Sequence, residues 1–148
     1  MLKWSIKSFT ELTSDELYSI MQLRAEVFVV EQNCPYQDAD GKDPKSFHLS
    51  GTNAEGKLIA YSRILPSHIS YPEVSIGRVV SSPSARGTGA GRELMKQSLI
   101  EIEKLFGSVP VKIGAQLYLQ KFYESFGFVV SSAEYLEDGI PHIEMMRA

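Results

Sequence analysis

The segment that decides the fold is the glycine-rich run Arg86-Gly87-Thr88-Gly89-Ala90-Gly91. It follows a β-branched run at residues 74–80, which is typical of a strand, and it precedes apolar residues that recur at helical spacing. A strand, a glycine turn and a helix N-terminus in this order leave backbone N–H groups open at the positive end of the helix dipole. Because glycine has no Cβ to keep a ligand at a distance, the segment predicts a phosphate or pyrophosphate site, with Arg86 and Arg92 beside it to neutralise charge.

Two common nucleotide motifs do not fit this spacing. A dinucleotide-binding fold requires Gly-x-Gly-x-x-Gly, but the third residue after Gly89 is Arg92. A P-loop requires Gly-Lys followed by Ser or Thr, whereas Gly91 is followed by Arg92. A glycine turn that binds no ligand remains an alternative on the motif alone. The residues therefore indicate a phosphate-bearing ligand and leave its identity open.

Periodicity along the rest of the chain predicts a mixed α/β fold with a mostly antiparallel central sheet, in one domain over residues 1–148. A capping box at Thr13 and Glu16 starts a first helix that is expected to continue through Phe28. Residues 31–46 are predicted to be a long acidic loop. Strands are expected at residues 4–9, 47–52, 57–65, 74–80, 111–115, 128–131 and 142–146. The fourth and fifth strands flank a helix, which implies a parallel strand–helix–strand unit.

Composition excludes several classes of protein. The formal net charge is −3 and no stripe of Lys and Arg occurs, so neither nucleic acid nor an anionic membrane is expected as a partner. No apolar run approaches the roughly 20 residues of a membrane span, and the first residues do not form a signal peptide. The single cysteine, Cys34, cannot form an internal disulfide and suits a reducing compartment, so the cytoplasm is the expected location.

Several motifs resemble one enzyme superfamily. Arg-x-x-Gly-x-Gly after Val79-Val80-Ser81 and Pro83 resembles the signature motif of the GCN5-related N-acetyltransferases, abbreviated GNAT. Residues 122–128, Phe-Tyr-Glu-Ser-Phe-Gly-Phe, resemble the last helix and strand of that superfamily. The ElaA-like branch in particular is resembled by Arg24, residues 27–32, residues 34–36, Asp38, residues 40–41 and residues 139–142. The resemblance covers nearly the whole chain.

The resemblance implies the GNAT (acyl-CoA N-acyltransferase) fold, in which the fourth and fifth strands splay apart, and acetyl-CoA as co-substrate without a metal. Backbone groups at Val79 and Ser81 would bind the pantetheine arm, and an amide at Val79 or Val80 would polarise the thioester carbonyl. Gln116 stands where relatives often carry Asn. The implied cofactor-binding residues are Val79, Val80, Ser81, Arg86, Gly87, Thr88, Gly89, Ala90, Gly91, Arg92 and Gln116.

Tyr123 matches the superfamily position of the acid that protonates the CoA sulfur, although periodicity alone also allows it to be a core residue. A base must remove a proton from the acceptor amine. The candidates are Glu31, Asp38, Asp40, His48 and His142, and the resemblance places Glu31 and His142 first.

Arg24 lies on the apolar stripe of its helix and needs a partner there. It either pairs with Glu31, Asp38 or Asp40 or anchors an anionic group of a substrate.

The resulting functional hypothesis is an N-acetyltransferase that moves an acetyl group to a primary amine of a small molecule or peptide. The acidic loop favours a cationic acceptor, whose identity the sequence does not give. The alternative is a catalytically silent module that binds or senses acyl-CoA. A strand at the C-terminal edge of the sheet would allow a homodimer.

Overall fold

The computed structural model describes residues 1–148 and contains one sheet of eight strands. Its strands are β1 (Lys3–Ser8), β2 (Phe47–Thr52), β3 (Leu58–Leu65), β4 (Val74–Ser81), β5 (Val111–Gln116), β6 (Val129–Val130), β7 (Tyr135–Glu137) and β8 (Ile140–Arg147). Its α-helices are α1 (Ser14–Arg24), α2 (Ala90–Phe106) and α3 (Gln120–Glu124). The strands lie in the order β1-β2-β3-β4-β5-β8-β6, and β7 also pairs with β8. Only β4 and β5 are parallel, which confirms the predicted mixed, mostly antiparallel fold.

Local signals set the ends of the two longer helices. The Thr13 hydroxyl accepts a hydrogen bond from the Glu16 amide at 3.1 Å, and the Glu16 carboxylate accepts one from the Thr13 amide at 2.8 Å. This reciprocal pair starts α1 where the capping box predicts. Helix α2 ends at Gly107, whose φ of 80° is a conformation that glycine adopts without a steric penalty.

The first helix does not continue regularly through Phe28, so that prediction is wrong in detail. Helix α1 ends at Arg24, and a π-helix occupies Ala25–Glu31. The run Val27-Phe28-Val29-Val30 is β-branched or aromatic, and such residues lose side-chain freedom in a tight helix. The π-helix ends at Glu31, and Asn33, two residues further on, has a positive φ of 49°. π-Helical turns are rare and often occur at functional sites.

The C-terminal strand is interior to the sheet, so the expectation of a C-terminal edge strand is wrong. Strand β8 pairs with β5 on one side and with β6 and β7 on the other. The short strand β7 was not foreseen, and it fills the part of that edge that β6 leaves open. A homodimer therefore stays a prediction without this support.

The two faces of the sheet carry separate apolar cores. One face packs against α2 and α3, where the buried hydroxyls of Ser62 and Ser98 lie 2.8 Å apart. The main residues of this core are Ile64, Val74, Ile76, Met95, Ile102, Val111, Ile113, Ala115, Tyr123, Phe128, Ile143 and Met145. The opposite face packs against α1 through Ile20, Leu23, Val27, Tyr61 and Val80. No helix combines the length and apolar composition that a membrane span requires.

Strands β4 and β5 stay paired over only two residue pairs. Val74 pairs with Val111 and Ser75 with Lys112, and beyond these pairs the two strands diverge. The rest of β4 keeps its partner β3, and the rest of β5 keeps β8. A gap thus opens in the middle of the sheet. The backbone groups that β4 and β5 turn toward this gap do not form hydrogen bonds with each other.

A buried group of charges fastens the loop after the π-helix to the α1 face of the sheet. We call it the Arg–Asp cluster; it consists of Arg24, Arg63, Arg78, Asp38, Asp40 and Asp43. Arg24 is completely buried and donates to Asp38 Oδ2 and Asp43 Oδ1, both at 2.8 Å. Burial by itself lowers the pKa of Arg24, but the hydrogen bond to Asp43 and the nearby carboxylates outweigh it and raise the pKa.

The remaining two arginines complete the cluster from β3 and β4. Arg63 donates from Nη1 and Nη2 to the two carboxylate oxygens of Asp40, each at 2.8 Å. Arg78 donates from Nε to Asp38 Oδ1 at 2.8 Å. Of the partners expected for Arg24, Asp38 is confirmed and Asp43 was not foreseen, while Asp40 pairs with Arg63. Since Arg24 has no exposed surface, it serves the scaffold and does not anchor a substrate.

Replacing Arg24 with Met will lower the free energy of unfolding by about 3 kcal/mol or more, because it removes one partner from a buried ion pair and leaves carboxylates uncompensated. Chemical denaturation followed by circular dichroism measures the change. The matched control is Lys7→Met, which removes the half-exposed pair with Glu16 and is expected to cost no more than about 1 kcal/mol. Equal losses in the two variants would contradict the scaffold role of Arg24.

Candidate active site

The gap between β4 and β5 is the entrance to a cleft of about 1150 Å³. Its walls come from the π-helix, β4, the glycine-rich loop, the start of α2, β5, α3 and the β7–β8 hairpin. The cleft contains every cofactor-binding residue expected from the sequence except Thr88, and also Tyr123, Glu31 and His142. The sequence-predicted site residues are therefore brought together around one cleft.

The glycine-rich loop forms an open cradle of backbone amides. Gly87 and Gly89 have φ values of 79° and 84°, and a Cβ added at either, or at Gly91, would meet no protein atom within 4 Å. The amides of Gly87 and Gly89 have no acceptor in the protein. Gly89 is the N-cap of the 17-residue helix α2, and no side chain caps this helix. The first amides of α2 are therefore also free, because the first turn of a helix has no acceptors of its own.

The two arginines that flank the cradle have different surroundings. Arg86 forms a two-point ion pair with Glu31, with Nη1 2.7 Å from Oε2. Arg92 donates to Ser125 Oγ at 3.3 Å, and its guanidinium lies 4.8 Å from the centre of the Phe126 ring. Arg92 thus has no carboxylate partner, whereas the charge of Arg86 is already balanced.

Strand β4 offers an unpaired backbone edge to the gap. The Ser82 amide, directly after β4, donates to the Ile59 carbonyl of the neighbouring strand β3 at 2.7 Å. Since backbone groups alternate in direction along a strand, the groups of Ser81 face away from β3 and into the gap. Val79 belongs to an irregularity in the β3–β4 register, where Arg63 pairs with Gly77 but Tyr61 pairs with Val80. An extended ligand can therefore add to β4 as a further strand.

Tyr123 reaches the cleft from the α2–α3 face. Its ring packs edge-on against Phe122 and Phe128, and only 6% of the residue is exposed. Burial raises the pKa of the Tyr123 hydroxyl, so it is protonated at neutral pH. This hydroxyl has no hydrogen-bond partner within the protein, and the side chain is both a core residue and a wall of the cleft.

His142 lies on the opposite face of the sheet. Its neighbour Ile143 belongs to the α2–α3 core, and successive residues of a strand point to opposite faces. The Nδ1 atom lies 2.7 Å from the Ile140 carbonyl, which can only accept, so Nδ1 carries hydrogen. In the neutral ring, Nε2 is then the acceptor, and it lies 3.6 Å from Glu137 Oε2. Gln116 pairs with His142 across β5 and β8 and exchanges long, 3.4 Å hydrogen bonds with Gln32.

Gly114 forms the floor beside His142. A Cβ at this position would lie 2.9 Å from the Tyr71 hydroxyl and 2.9 Å from the Tyr135 hydroxyl, closer than such contacts occur. Tyr135 also stacks on the His142 ring, with centroids 5.8 Å apart. The absence of a side chain at Gly114 therefore allows two tyrosines to close this side of the cleft.

The other base candidates occupy structural positions. His48 is buried, with Nδ1 2.7 Å from the Tyr61 hydroxyl and Nε2 3.0 Å from the Asp43 carbonyl, and burial lowers its pKa. Asp38 and Asp40 belong to the Arg–Asp cluster. Glu31 faces the cleft, but its hydrogen bonds from Arg86 hold the pKa of the carboxyl below its usual range, which makes it a weak base. No motif or spacing in the sequence marks Glu137 or Arg78 as a site residue, yet both line the cleft.

Residues 13–148 match the family described as acetyltransferase (GNAT) domain. The chain belongs to the GNAT family. Protein ElaA of Escherichia coli K12 is 46% identical over 149 residues, which cover 99% of this chain and 97% of ElaA. A solved acyl-CoA N-acyltransferase from Pseudomonas aeruginosa is 48% identical with a TM-score of 0.95, and solved E. coli ElaA is 45% identical with a TM-score of 0.93; all chains are covered in full. The resemblance to GNAT enzymes and to the ElaA-like branch is confirmed.

A more distant GNAT relative supports the fold alone. An aminoglycoside 6'-N-acetyltransferase solved with coenzyme A is 14% identical and has a TM-score of 0.70 over 97% of this chain. In the present cleft, the free amides and Arg92 can hold a phosphate or pyrophosphate, and the open edge of β4 can pair with an extended group that bears amides.

Replacing Gly89 with Ala will weaken the binding of CoA at least about tenfold, because a Cβ would project into the cradle and hold phosphate away from the amides. Isothermal titration with CoA measures the affinity. Gly107→Ala is the matched control, since Gly107 has a similar φ of 80° and an equally open Cβ position at the other end of α2. Alanine at Gly107 should cost at least as much thermal stability as alanine at Gly89, because the φ and ψ of Gly107 (80° and −161°) lie in a region essentially restricted to glycine. Equal CoA affinity in the two variants would contradict the cradle.

Proposed function

We propose that the chain transfers an acetyl group from acetyl-CoA directly to a primary amine. The observation that carries the proposal is the continuous path from the open glycine cradle, along the unpaired edge of β4, to the Tyr123 hydroxyl. Membership of the GNAT family supports N-acyl transfer. The choice of acetyl over other acyl groups and the choice of acceptor are part of the proposal.

The cofactor supplies a thioester whose carbonyl carbon accepts the amine. The chain contributes hydrogen-bond donors where negative charge develops on the carbonyl oxygen. The backbone amide of Val79 is suited to this task because it falls in the irregularity of the β3–β4 register, while its neighbour Val80 is held in the sheet by its pairing with Tyr61. Losing one such donor typically costs roughly 3–4 kcal/mol of transition-state stabilisation.

Tyr123 is proposed to act on the sulfur of the departing thiolate. Its raised pKa keeps the hydroxyl neutral, and it has no competing partner within the protein. A neutral phenol donates a hydrogen bond readily, but complete proton transfer from a phenol with a raised pKa to a thiolate is unfavourable, since thiols have a pKa of about 8.5. We therefore assign Tyr123 first to stabilisation of the thiolate by hydrogen bonding.

His142 is proposed as the base that takes the proton from the amine. Its Nε2 atom is free to accept, its Nδ1–H is held by a carbonyl, and the Glu137 carboxylate stands near enough to stabilise the imidazolium. Tyr123 and His142 approach the gap from opposite faces of the sheet. The departing thiolate, which accepts a hydrogen bond from Tyr123, and the amine, which gives its proton to His142, thus do not compete for one side chain.

The acidic loop no longer argues for a cationic acceptor. Its three aspartates, of which Asp43 is buried and Asp38 and Asp40 are partly exposed, are neutralised by the arginines of the Arg–Asp cluster. The proposed acceptor is therefore a primary amine of a small molecule or peptide without a stated charge. Action in the cytoplasm is also proposed, since a single buried Cys34 needs no oxidising compartment.

A panel of primary amines incubated with acetyl-CoA tests the proposal, with thiol release as the signal. Polyamines, aminoglycosides, free amino acids and peptides with free N-termini should be compared, and acetyl-CoA should be compared with longer acyl-CoA thioesters. Release that depends on one class of amine supports transfer. Tight acetyl-CoA binding without release on any amine would support the silent binding module instead.

Tyr123→Phe will leave acetyl-CoA affinity unchanged and will lower kcat at least about tenfold, because it removes only the hydroxyl. Steady-state kinetics with the best amine of the panel provide the measurement. Phe122→Leu, which alters the neighbouring ring and keeps Tyr123, controls for packing. A kcat equal to that of the wild type would remove Tyr123 from the mechanism.

His142→Gln will lower kcat and flatten the pH dependence of kcat on its acidic side, since the group that must be deprotonated is lost. Glu31→Gln will retain that pH dependence, because Glu31 is paired with Arg86. The two pH profiles, recorded with the same amine, decide between the candidates. The opposite pattern would assign the base to Glu31.

A further inference from the structure

Strand β4 contains an extra residue opposite β3, which is a β-bulge. Gly77 pairs with Arg63 and Val80 with Tyr61, so that Arg78 and Val79 together oppose the single residue Ser62. Arg78 adopts a φ of 49°, in the left-handed region that side chains other than glycine rarely occupy. A bulge leaves its extra residue outside the ladder. Neither Arg78 nor Val79 has a paired residue in β3, and both line the cleft.

Contacts from the loop after the π-helix hold this unusual conformation. Arg78 donates from Nε to Asp38 Oδ1 at 2.8 Å and from Nη2 to the Asp38 carbonyl at 3.0 Å. The Tyr36 ring lies under its guanidinium, 5.5 Å from the ring centre. Asp38 is held in turn by Arg24 at 2.8 Å and by the Tyr36 hydroxyl at 2.9 Å. The two hydrogen bonds from Arg78 to Asp38 thus fix the position of Arg78, the residue that precedes Val79.

We infer that Asp38, acting through the guanidinium of Arg78, is a positioning residue that fixes the β4 bulge and with it the Val79 amide that polarises the thioester carbonyl. This inference rests on the proposed function, since it concerns the same site. Neither residue touches the reacting atoms. Their effect is transmitted through the backbone, because the φ and ψ of Arg78 together set the direction of the peptide group between Arg78 and Val79.

A purely structural role predicts something different. In that case Arg78 would contribute to stability only, and its loss would leave the carbonyl environment of the bound thioester unchanged. The two roles separate in a measurement that reports on the carbonyl itself. Acetyl-CoA labelled with carbon-13 at the carbonyl gives such a signal, because a hydrogen bond to the oxygen moves the carbon resonance downfield of its position in free solution.

Two variants of Arg78 test the inference and leave the other contacts of Asp38 intact, since Asp38 still accepts hydrogen bonds from Arg24 and from the Tyr36 hydroxyl. Arg78→Lys keeps the charge and loses the two-point grip. Arg78→Gly loses the grip and also removes the steric cost of a positive φ, so it need not lose stability. Arg147→Lys, at the far end of β8, is the matched control for an arginine that donates to a carbonyl.

The wild type and the control should show a downfield carbonyl resonance with bound acetyl-CoA. Both Arg78 variants should lose about half or more of that displacement and lower kcat at least about tenfold, as expected for a misplaced group, while CoA affinity stays within about threefold. A wild-type resonance in both Arg78 variants would overturn this inference and leave the proposed function in place. A parallel loss of CoA affinity and thermal stability in both variants would also overturn it, because it would indicate a general structural role. Failure of the wild type to bind acetyl-CoA would overturn the proposed function as well.

Discussion

The divergence of β4 and β5 is the constraint on which the site depends. Backbone N–H and C=O groups require partners, and most buried ones find them in a neighbouring strand. After Ser75 and Lys112, β4 and β5 no longer supply each other with partners, and the cleft occupies the space between them. The glycine cradle continues this unpaired surface to the N-terminus of α2. A ligand that bears amide and phosphate groups can therefore supply hydrogen-bond partners to the strand edge with its amides and to the cradle with its phosphates.

The Arg–Asp cluster gives this open region a rigid border. A strand that has lost one neighbour is held by the other neighbour and by what packs on its faces. In this chain, three arginines from α1, β3 and β4 converge on three aspartates of one loop. Such a group is costly to bury and adds little net stability, but it fixes relative positions because each charge must keep its partners. The cluster is therefore better understood as a device for geometry than as a source of stability.

Short-range signals were readable from the sequence, and long-range ones were not. The strand, the glycine turn and the helix N-terminus are adjacent in the chain, as are Thr13 and Glu16, and their physics is local. Arg24 was recognisable as an anomaly on an apolar stripe, but Asp43 lies 19 residues away and could not be chosen over other acids. The bulge at Arg78 carries no glycine to mark it, and β7 has only three residues. The role of Glu137 beside His142 depends on that hairpin and was hidden for the same reason.

Gly114 illustrates how one small residue constrains the shape of one side of the cleft. Two tyrosine hydroxyls lie where its Cβ would be, so even alanine would displace them. A side chain at position 114 therefore requires the hydroxyls of Tyr71 and Tyr135 to move, so the shape of the cleft here depends on three positions together. A change at one tyrosine leaves the hydroxyl of the other 2.9 Å from the Cβ position, so a larger residue at 114 fits without displacement only when both tyrosines change, and no single substitution reaches that shape of the cleft.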